Sequence, residues 1–557
     1  MSTPAQTATG RRGRWRWSIA LAATAAMVVS SSGLVAFAQS GSGVSAGPRF
    51  VPADAPLYVE ARLDLPDGQG ESLASFLSAF PGFADEGSFQ TKIDEAVDSL
   101  LADATEGEIT IADIRAFATG EIGLTITSLS AEVMESDEPP MVIGVGISDR
   151  AAAEAFVAGL AEDVETETYG SATLYVDDEA TVAVADEWIL LSPQADQIEA
   201  AVDVLDGSAP SLAEDPDFSA AFARVPAGHL GAVYLDIQSL GSLIEMGMAQ
   251  GMTEGMEMGG MPMDLETLLT QLPTDMVAYL AAAPDRMTLE AFITTADGTP
   301  PLPVGESDLA SLFPTDTQLY IETRELGSVL AGALGTVFAT MDEESAAQMA
   351  PIEDMLGVPL PELLDFVSDA GIGAGLTSDG LWLGVAAEVT DPESAAERME
   401  RLMSIVTVLG ASAEAGISVE TEAVGDVDVT TITLPIDSAE MGLPFDIGQT
   451  LSVALTDSSL LLGTGDFVTN ALTQPGTDSL AASAAYTDAL GDDTTNSGVV
   501  YANIGSLLAL LDPMLAALMP EWAEIAPYAT ALDRFVAVGT ADDEVISARM
   551  TIIVGAE

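Results

Sequence analysis

Residues 52–62 read Pro-Ala-Asp-Ala-Pro-Leu-Tyr-Val-Glu-Ala-Arg, and residues 314–324 read Pro-Thr-Asp-Thr-Gln-Leu-Tyr-Ile-Glu-Thr-Arg, with Pro, Asp, Leu, Tyr, Glu and Arg in register. Further matches follow in the same order. Gly120-Glu-Ile-Gly answers Ala370-Gly-Ile-Gly, and Val164-Glu-Thr-Glu answers Val419-Glu-Thr-Glu. Ser211-Leu-Ala answers Ser479-Leu-Ala, and Val233-Tyr-Leu-Asp-Ile-Gln-Ser-Leu answers Val500-Tyr-Ala-Asn-Ile-Gly-Ser-Leu. Collinear matches whose offsets drift are the mark of a duplicated unit that has gained and lost loops, so the fold must be one that is built twice. Between the copies lies Asp297-Gly-Thr-Pro-Pro-Leu-Pro-Val-Gly. Its prolines fix φ and remove donors, as in a short semi-rigid linker. The expected organisation is a first repeat domain at 50–296, a linker at 297–310 and a second repeat domain at 311–557.

Within each half, short alternating apolar segments such as Leu57 to Arg62, Ile122 to Thr127, Val142 to Ile147 and Thr181 to Ala185 predict strands. Helical spacing is expected from Asp149 to Leu160, Asp391 to Leu409 and Ser506 to Leu518. Turn-sized gaps, for example Asp186-Glu187 between Ala185 and Trp188, imply hairpins. Hairpins with interspersed helices predict an α+β fold of two tandem homologous domains with largely antiparallel sheets.

The opening phrase Pro-x-Asp-x-x-Leu-Tyr-[Val/Ile]-Glu-x-Arg, at the head of each tandem half, resembles the bacterial domain of unknown function 3352 family. The resemblance extends from about residue 50 to the end of the chain and implies an exported or membrane-anchored protein. That family has no assigned activity, so no catalytic residues are carried over.

The N-terminus supports the same location. Arg11, Arg12, Arg14 and Arg16 precede an uncharged stretch from Ser18 to Ala38, which ends in the small-x-small sequence Ala36-Phe37-Ala38. Residues 1–38 are therefore expected to be a signal peptide, with a Gly/Ser-rich linker at 39–49, or else an N-terminal membrane anchor, since the uncharged stretch is also long enough to span a bilayer. Either version places the remaining chain outside the cytoplasm.

Composition narrows the chemistry. The formal net charge is -72, Lys92 is the single lysine, and there is no cysteine. Such a surface repels nucleic acid and anionic headgroups, so no nucleic-acid partner is expected and membrane contact is expected only through the N-terminal segment. Thiol chemistry, disulfides and Cys/His zinc sites are excluded. Screening should relieve the self-repulsion of the carboxylates. The melting midpoint is therefore expected to rise from low salt to molar potassium chloride; a flat or falling midpoint would mean that they are already balanced, for instance by divalent cations.

The repeated strand holds the most pointed polar pattern. Period two puts Tyr58, Glu60 and Arg62 on one face, and Tyr320, Glu322 and Arg324 on one face of the second copy. The prevailing expectation is a structural Glu–Arg pair on a half-buried sheet face or at the contact between the halves; the sharper one is a pair of arginines gripping an anion. His229, the sole histidine, lies in Pro226-Ala-Gly-His and is expected in a surface turn; its counterpart is near Asn496. No Gly-x-Ser-x-Gly elbow, P-loop or dinucleotide fingerprint accompanies it. The clusters Asp177-Asp178-Glu179, Asp492-Asp493 and Asp542-Asp543-Glu544 lack calcium-loop spacing and are expected in solvated turns.

One segment is unusual. Met248, Met252, Met256 and Met258 lie among glycines at 247, 251, 255 and 259. Thioethers suit Cu(I), but the four-residue spacing of Met and Gly is that of two stripes on one adaptable helix, which is the preferred expectation. The corresponding part of the second half, Ser506 to Met519, is expected to be a packed helix. No cofactor or metal is expected. The reading is an exported, acidic, non-enzymatic envelope or surface protein that binds an unknown envelope partner or ligand or serves as a structural module. A carboxylate-dependent extracytoplasmic hydrolase and a copper-handling protein are the alternatives.

Overall fold

The computed structural model describes residues 47–62, 68–83, 109–129, 139–160, 164–177, 180–241, 272–296, 298–332, 356–377, 380–410, 417–433, 450–474 and 478–555, with isolated residues between them. The chain divides into two compact units with the break between Thr299 and Pro300. The expected segments at 1–38 and 39–49, and the candidates Met248, Met252, Met256 and Met258, lie outside the described residues. Among the described residues, no helix is long and apolar enough to cross a membrane.

The first unit contributes β1 (Leu57–Arg62), β2 (Ala118–Ile126), β3 (Met141–Ile147), β4 (Glu165–Tyr169), β5 (Ala172–Val176), β6 (Thr181–Val184), β7 (Trp188–Ser192), β8 (Gly231–Asp236), β9 (Asp275–Ala283) and β10 (Arg286–Thr294). All pair antiparallel, in the order β4-β5-β6-β7-β3-β2-β1-β8-β9-β10. The second unit contributes β11 (Leu319–Thr323), β12 (Val367–Thr377), β13 (Gly380–Val389), β14 (Ser418–Val424), β15 (Val427–Thr433), β16 (Thr450–Leu455), β17 (Ser459–Thr464), β18 (Gly498–Asn503), β19 (Leu532–Ala541) and β20 (Val545–Val554). Their order is β14-β15-β16-β17-β13-β12-β11-β18-β19-β20, the first unit's order strand for strand. With helices between the strands, each unit is α+β.

Local chemistry accounts for the connections. The two-residue turns Gly170-Ser171 and Gly425-Asp426 each open on a glycine with positive φ, 53° and 64°, which matches the twist of the strands that they join. The Asp186-Glu187 hairpin is closed by the Ala185 N–H donating to the Trp188 carbonyl at 2.8 Å. Helices Arg150–Leu160 and Pro392–Gly410 follow Asp149 and Asp391, whose carboxylates accept from the N–H groups of Ala152 and Ser394 at 3.0 and 3.1 Å.

The repeated phrases meet in space. Pro52 bridges Ser211 and Pro314 bridges Ser479, while Tyr58 lies opposite Tyr234 and Tyr320 opposite Tyr501. Before each phrase a phenylalanine plugs the core: Phe50 lies 5.0 Å from the Trp188 ring and Phe313 5.1 Å from the Phe467 ring. Glycines make room for both rings. A Cβ on Gly144 would stand 2.5 Å from Phe50, and one on Gly373 would fall inside van der Waals contact of Phe313. One match shifts. Across from Glu60 and Glu322 stand Gly123 and Gly371, so the glycine strands align two residues away from the sequence match, on the same face.

Two expectations are corrected. The stretch at 300–310 is not merely a linker, because Gly305 bridges Asn496 and Leu309 and Ala310 are buried in the second core. The helix expected at Ser506 forms as Ile504–Leu518, yet none of its residues is buried and Leu518 is 70% exposed. The apolar spacing sets the helix, and β19 and the helix Trp522–Ala529 pack against one side of it without fully burying any of its residues.

Candidate functional site

β1 and β11 bury the side that carries their polar groups. Tyr58, Glu60 and Arg62 are 0%, 3% and 3% exposed, whereas Leu57, Val59 and Ala61 are half-buried. In the second unit Tyr320, Glu322 and Arg324 are similarly enclosed, while Leu319 and Ile321 face outward. Small neighbours admit the polar chains: Glu60 sits between Gly123 and Ala232, and Tyr320 has Gly373 on one side. Buried charge is tolerated only when each polar atom finds a partner, and the two units satisfy this differently.

In the first unit, the Tyr58 hydroxyl donates to Glu60 Oε2 at 2.8 Å, and His229 Nε2 lies 2.5 Å from Glu60 Oε1. His229 Nδ1 donates to the Pro226 carbonyl at 2.7 Å. The expectation of a surface histidine is therefore wrong. The turn exists, with the His229 N–H donating to the Pro226 carbonyl at 3.1 Å, but it carries the imidazole inward, to 4% exposure and edge-on to Phe222.

In the second unit, Arg324 takes the central place. Its Nη1 donates to Glu322 Oε1 at 2.5 Å and to Asp369 Oδ2 at 3.0 Å. Its Nη2 donates to Asn496 Oδ1 at 2.8 Å and to the Gly305 carbonyl at 3.1 Å, and Nε donates to the Asn496 carbonyl at 3.0 Å. A guanidinium has five N–H donors, and all five are used. An anion would have to displace one of these partners. The Tyr320 hydroxyl donates to Glu322 Oε2. Burial pushes the Tyr320 phenol well above its ordinary value and the Glu322 carboxylate pushes it the same way, so the hydroxyl keeps its proton for that bond.

The structure thus joins Tyr58 and Glu60 with His229, and Tyr320, Glu322 and Arg324 with Asn496. Sequence reasoning missed Asp369 and Gly305. Neither has a local signal, since Asp369 is one of many carboxylates and Gly305 sits among the prolines. The acidic turns behave as solvated turns where described: Asp542 accepts from the N–H groups of Glu544 and Val545, and Asp493 pairs with Arg549 at 2.5 Å. Among the described residues, no group of three or more His, Cys, Asp or Glu is placed to hold a metal ion.

No curated protein sequence matches the chain. Among solved structures it is similar to "Structure of crystal form III of TP0453" and "Structure of crystal form I of TP0453", each at 12% identity and a TM-score of 0.22. The matches cover 46% and 47% of this chain and 82% of each of those chains, and no argument rests on them. The family model "Protein of unknown function (DUF3352)" matches residues 17–541, and the chain belongs to that family.

Proposed function

We propose that this is an exported, acidic, non-enzymatic envelope or surface protein that binds an apolar partner through one sheet face of its second unit. The observation that carries this reading is a row of apolar side chains at matched register across six strands: Val385, Ile372, Ile321, Val500, Ala537 and Met550. Ile321 and Ile372 are each 49% exposed, and Leu319, Leu383 and Ile552 extend the same open surface. Contiguous exposed apolar surface marks interaction sites, whereas apolar residues scattered singly do not. The first unit makes the contrast. At the equivalent register Leu124 and Ile143 are 6% and 0% exposed, packed with Phe117 and with Val157 of helix Arg150–Leu160.

The polar constellation that both copies repeat supports a non-enzymatic role, because it is enclosed by the fold in both and every guanidinium donor of Arg324 is committed to a protein acceptor. The export reading rests on the basic and apolar N-terminal sequence.

The test uses an environment-sensitive apolar dye and the variant Ile321→Thr/Ile372→Thr. Threonine keeps the β-branched shape but removes apolar surface at exposed positions, so stability should change by only about 0.5 kcal/mol per site. Dye affinity is expected to fall about tenfold. Unchanged dye binding by the folded variant would overturn the assignment of this face.

A further inference from the structure

The two units bury the same strand face, but His229 stands beside it in the first unit where Asn496 stands in the second. A carbonyl oxygen only accepts, so the 2.7 Å contact between His229 Nδ1 and the Pro226 carbonyl fixes the hydrogen on Nδ1. An uncharged imidazole then presents a bare lone pair at Nε2. That atom faces Glu60 Oε1 at 2.5 Å, with both side chains 5% exposed or less. An ionised carboxylate against a lone pair would place two acceptors together where water cannot intervene. One further proton between them satisfies both atoms, whether it resides on nitrogen or on oxygen.

We propose that the buried Glu60–His229 pair holds one proton in the folded state and acts as a proton-dependent lock on the first unit. The surroundings define what the pair feels. Tyr58 and Arg62 project from the same strand, and Tyr58 already donates to the other Glu60 oxygen. Glu121 stands at the register position opposite Arg62 on β2, and Tyr234 lies opposite Tyr58 on β8. Burial raises the Tyr234 phenol, so it remains neutral. Phe222 lies edge-on to the imidazole at 6.4 Å, and the uncharged Gln69 flanks the turn at Gly228.

The lock joins distant parts of the chain, since His229 and Glu60 are 169 residues apart. It ties the 226–229 turn, which leads into β8, to the neighbouring strand β1. The second unit has no equivalent. Asn496 occupies the place of His229, and the buried charge beside Glu322 is a guanidinium, which does not deprotonate in proteins. The two copies should therefore respond differently to the same change of pH.

The sign follows from proton linkage. The folded first unit retains between Glu60 and His229 a proton that the unfolded chain, with the two side chains apart in water, gives up more readily. Its stability contribution is complete at lower pH and is lost as pH rises. Over that range the folding equilibrium constant should fall by about tenfold per pH unit.

Amide hydrogen exchange of the full chain from pH 6 to 9, corrected for intrinsic exchange, tests this. Peptides covering β1 and β8 should lose protection by about tenfold per pH unit, while those covering β11 and β18 serve as the internal control and hold theirs. Glu60→Gln should flatten the response, because an amide N–H donates to the Nε2 lone pair without needing a titratable proton. Because the chain has one histidine, nitrogen-15 spectra of labelled histidine report His229 directly. A far-downfield exchangeable proton at neutral pH that is lost in Glu60→Gln supports the lock. This measurement on the wild-type chain, with its pH series, decides the matter even if the variant does not fold. Equal pH responses of the two units, or a ring whose Nε2 faces Glu60 with no shared proton at neutral pH, would overturn the proposal.

Discussion

Replacing Arg324 by alanine is expected to unfold the second unit at denaturant concentrations where the wild type is still folded, with a loss of about 3–5 kcal/mol. The side chains of Arg324 and Glu322 are 3% and 4% exposed, so removing the cation leaves a carboxylate that water cannot reach. It also takes the guanidinium donor from the Asn496 side-chain oxygen, whereas the Asn496 and Gly305 carbonyls keep the backbone N–H donors they exchange. Lysine should recover little, because an ammonium has three donors on one atom and cannot span acceptors arranged around a planar fork. Glu322→Gln combined with Arg324→Met should cost less than Arg324→Met alone, since the isolated buried charge is then absent. Urea denaturation followed by tryptophan fluorescence measures these differences, with Trp382 and Trp522 as reporters within the second unit. A loss below about 1 kcal/mol for Arg324→Ala would place the pair among the weak, solvated kind.

The duplication was legible because its most repeated residues are those whose neighbours are fixed by backbone pairing. Pro52 with Ser211, and Pro314 with Ser479, are bridges between two repeated phrases, and the paired tyrosines are strand neighbours. Which face of β1 is inward was less legible. Period two separates Tyr58, Glu60 and Arg62 from Leu57, Val59 and Ala61, but hydropathy alone would bury the wrong set. The polar set goes inward because each charge meets a partner contributed from far along the chain, as His229 does for Glu60 and Asp369 for Arg324. Local turn chemistry placed His229 at the surface for the same reason: Pro-Ala-Gly signals a turn but is silent about what the turn folds onto. The two-residue slip at Gly123 and Gly371 shows the converse. Faces survive a shift by two, so sequence similarity found the right face without the right register. The family resemblance rested on the same short phrase and holds over nearly the whole chain, from residue 17 to 541.

The phenylalanine before each repeated phrase carries the other large effect. Phe313 is 0% exposed and stacks its ring over the glycines of β12 while touching Phe467 and Tyr320 at centroid separations of 5.1 and 4.9 Å. Truncating so large a buried ring leaves a cavity, and Phe313→Ala should cost about 3–5 kcal/mol. Gly373→Ala places a methyl group into space that the ring occupies, and the ring cannot swing aside because it is packed on its other edge. That substitution should cost about 1–3 kcal/mol by overpacking. If the ring and the glycine are complementary, the two changes cannot be additive, because the methyl group clashes only while the ring is present and partly fills the cavity once it is gone. The double variant should therefore be more stable than the sum of the single losses by about 1–2 kcal/mol, measured by the same denaturation curves. Strict additivity would show that Gly373 is tolerated for some reason other than room for Phe313. Phe50 and Gly144 offer the same cycle in the first unit, where Trp188 takes the place of Phe467 at the ring's edge. Coupling of like sign in both units would tie each repeated phrase of the duplicated chain to one packing event: an aromatic ring seated on glycine strands just ahead of a strand whose inward face is polar.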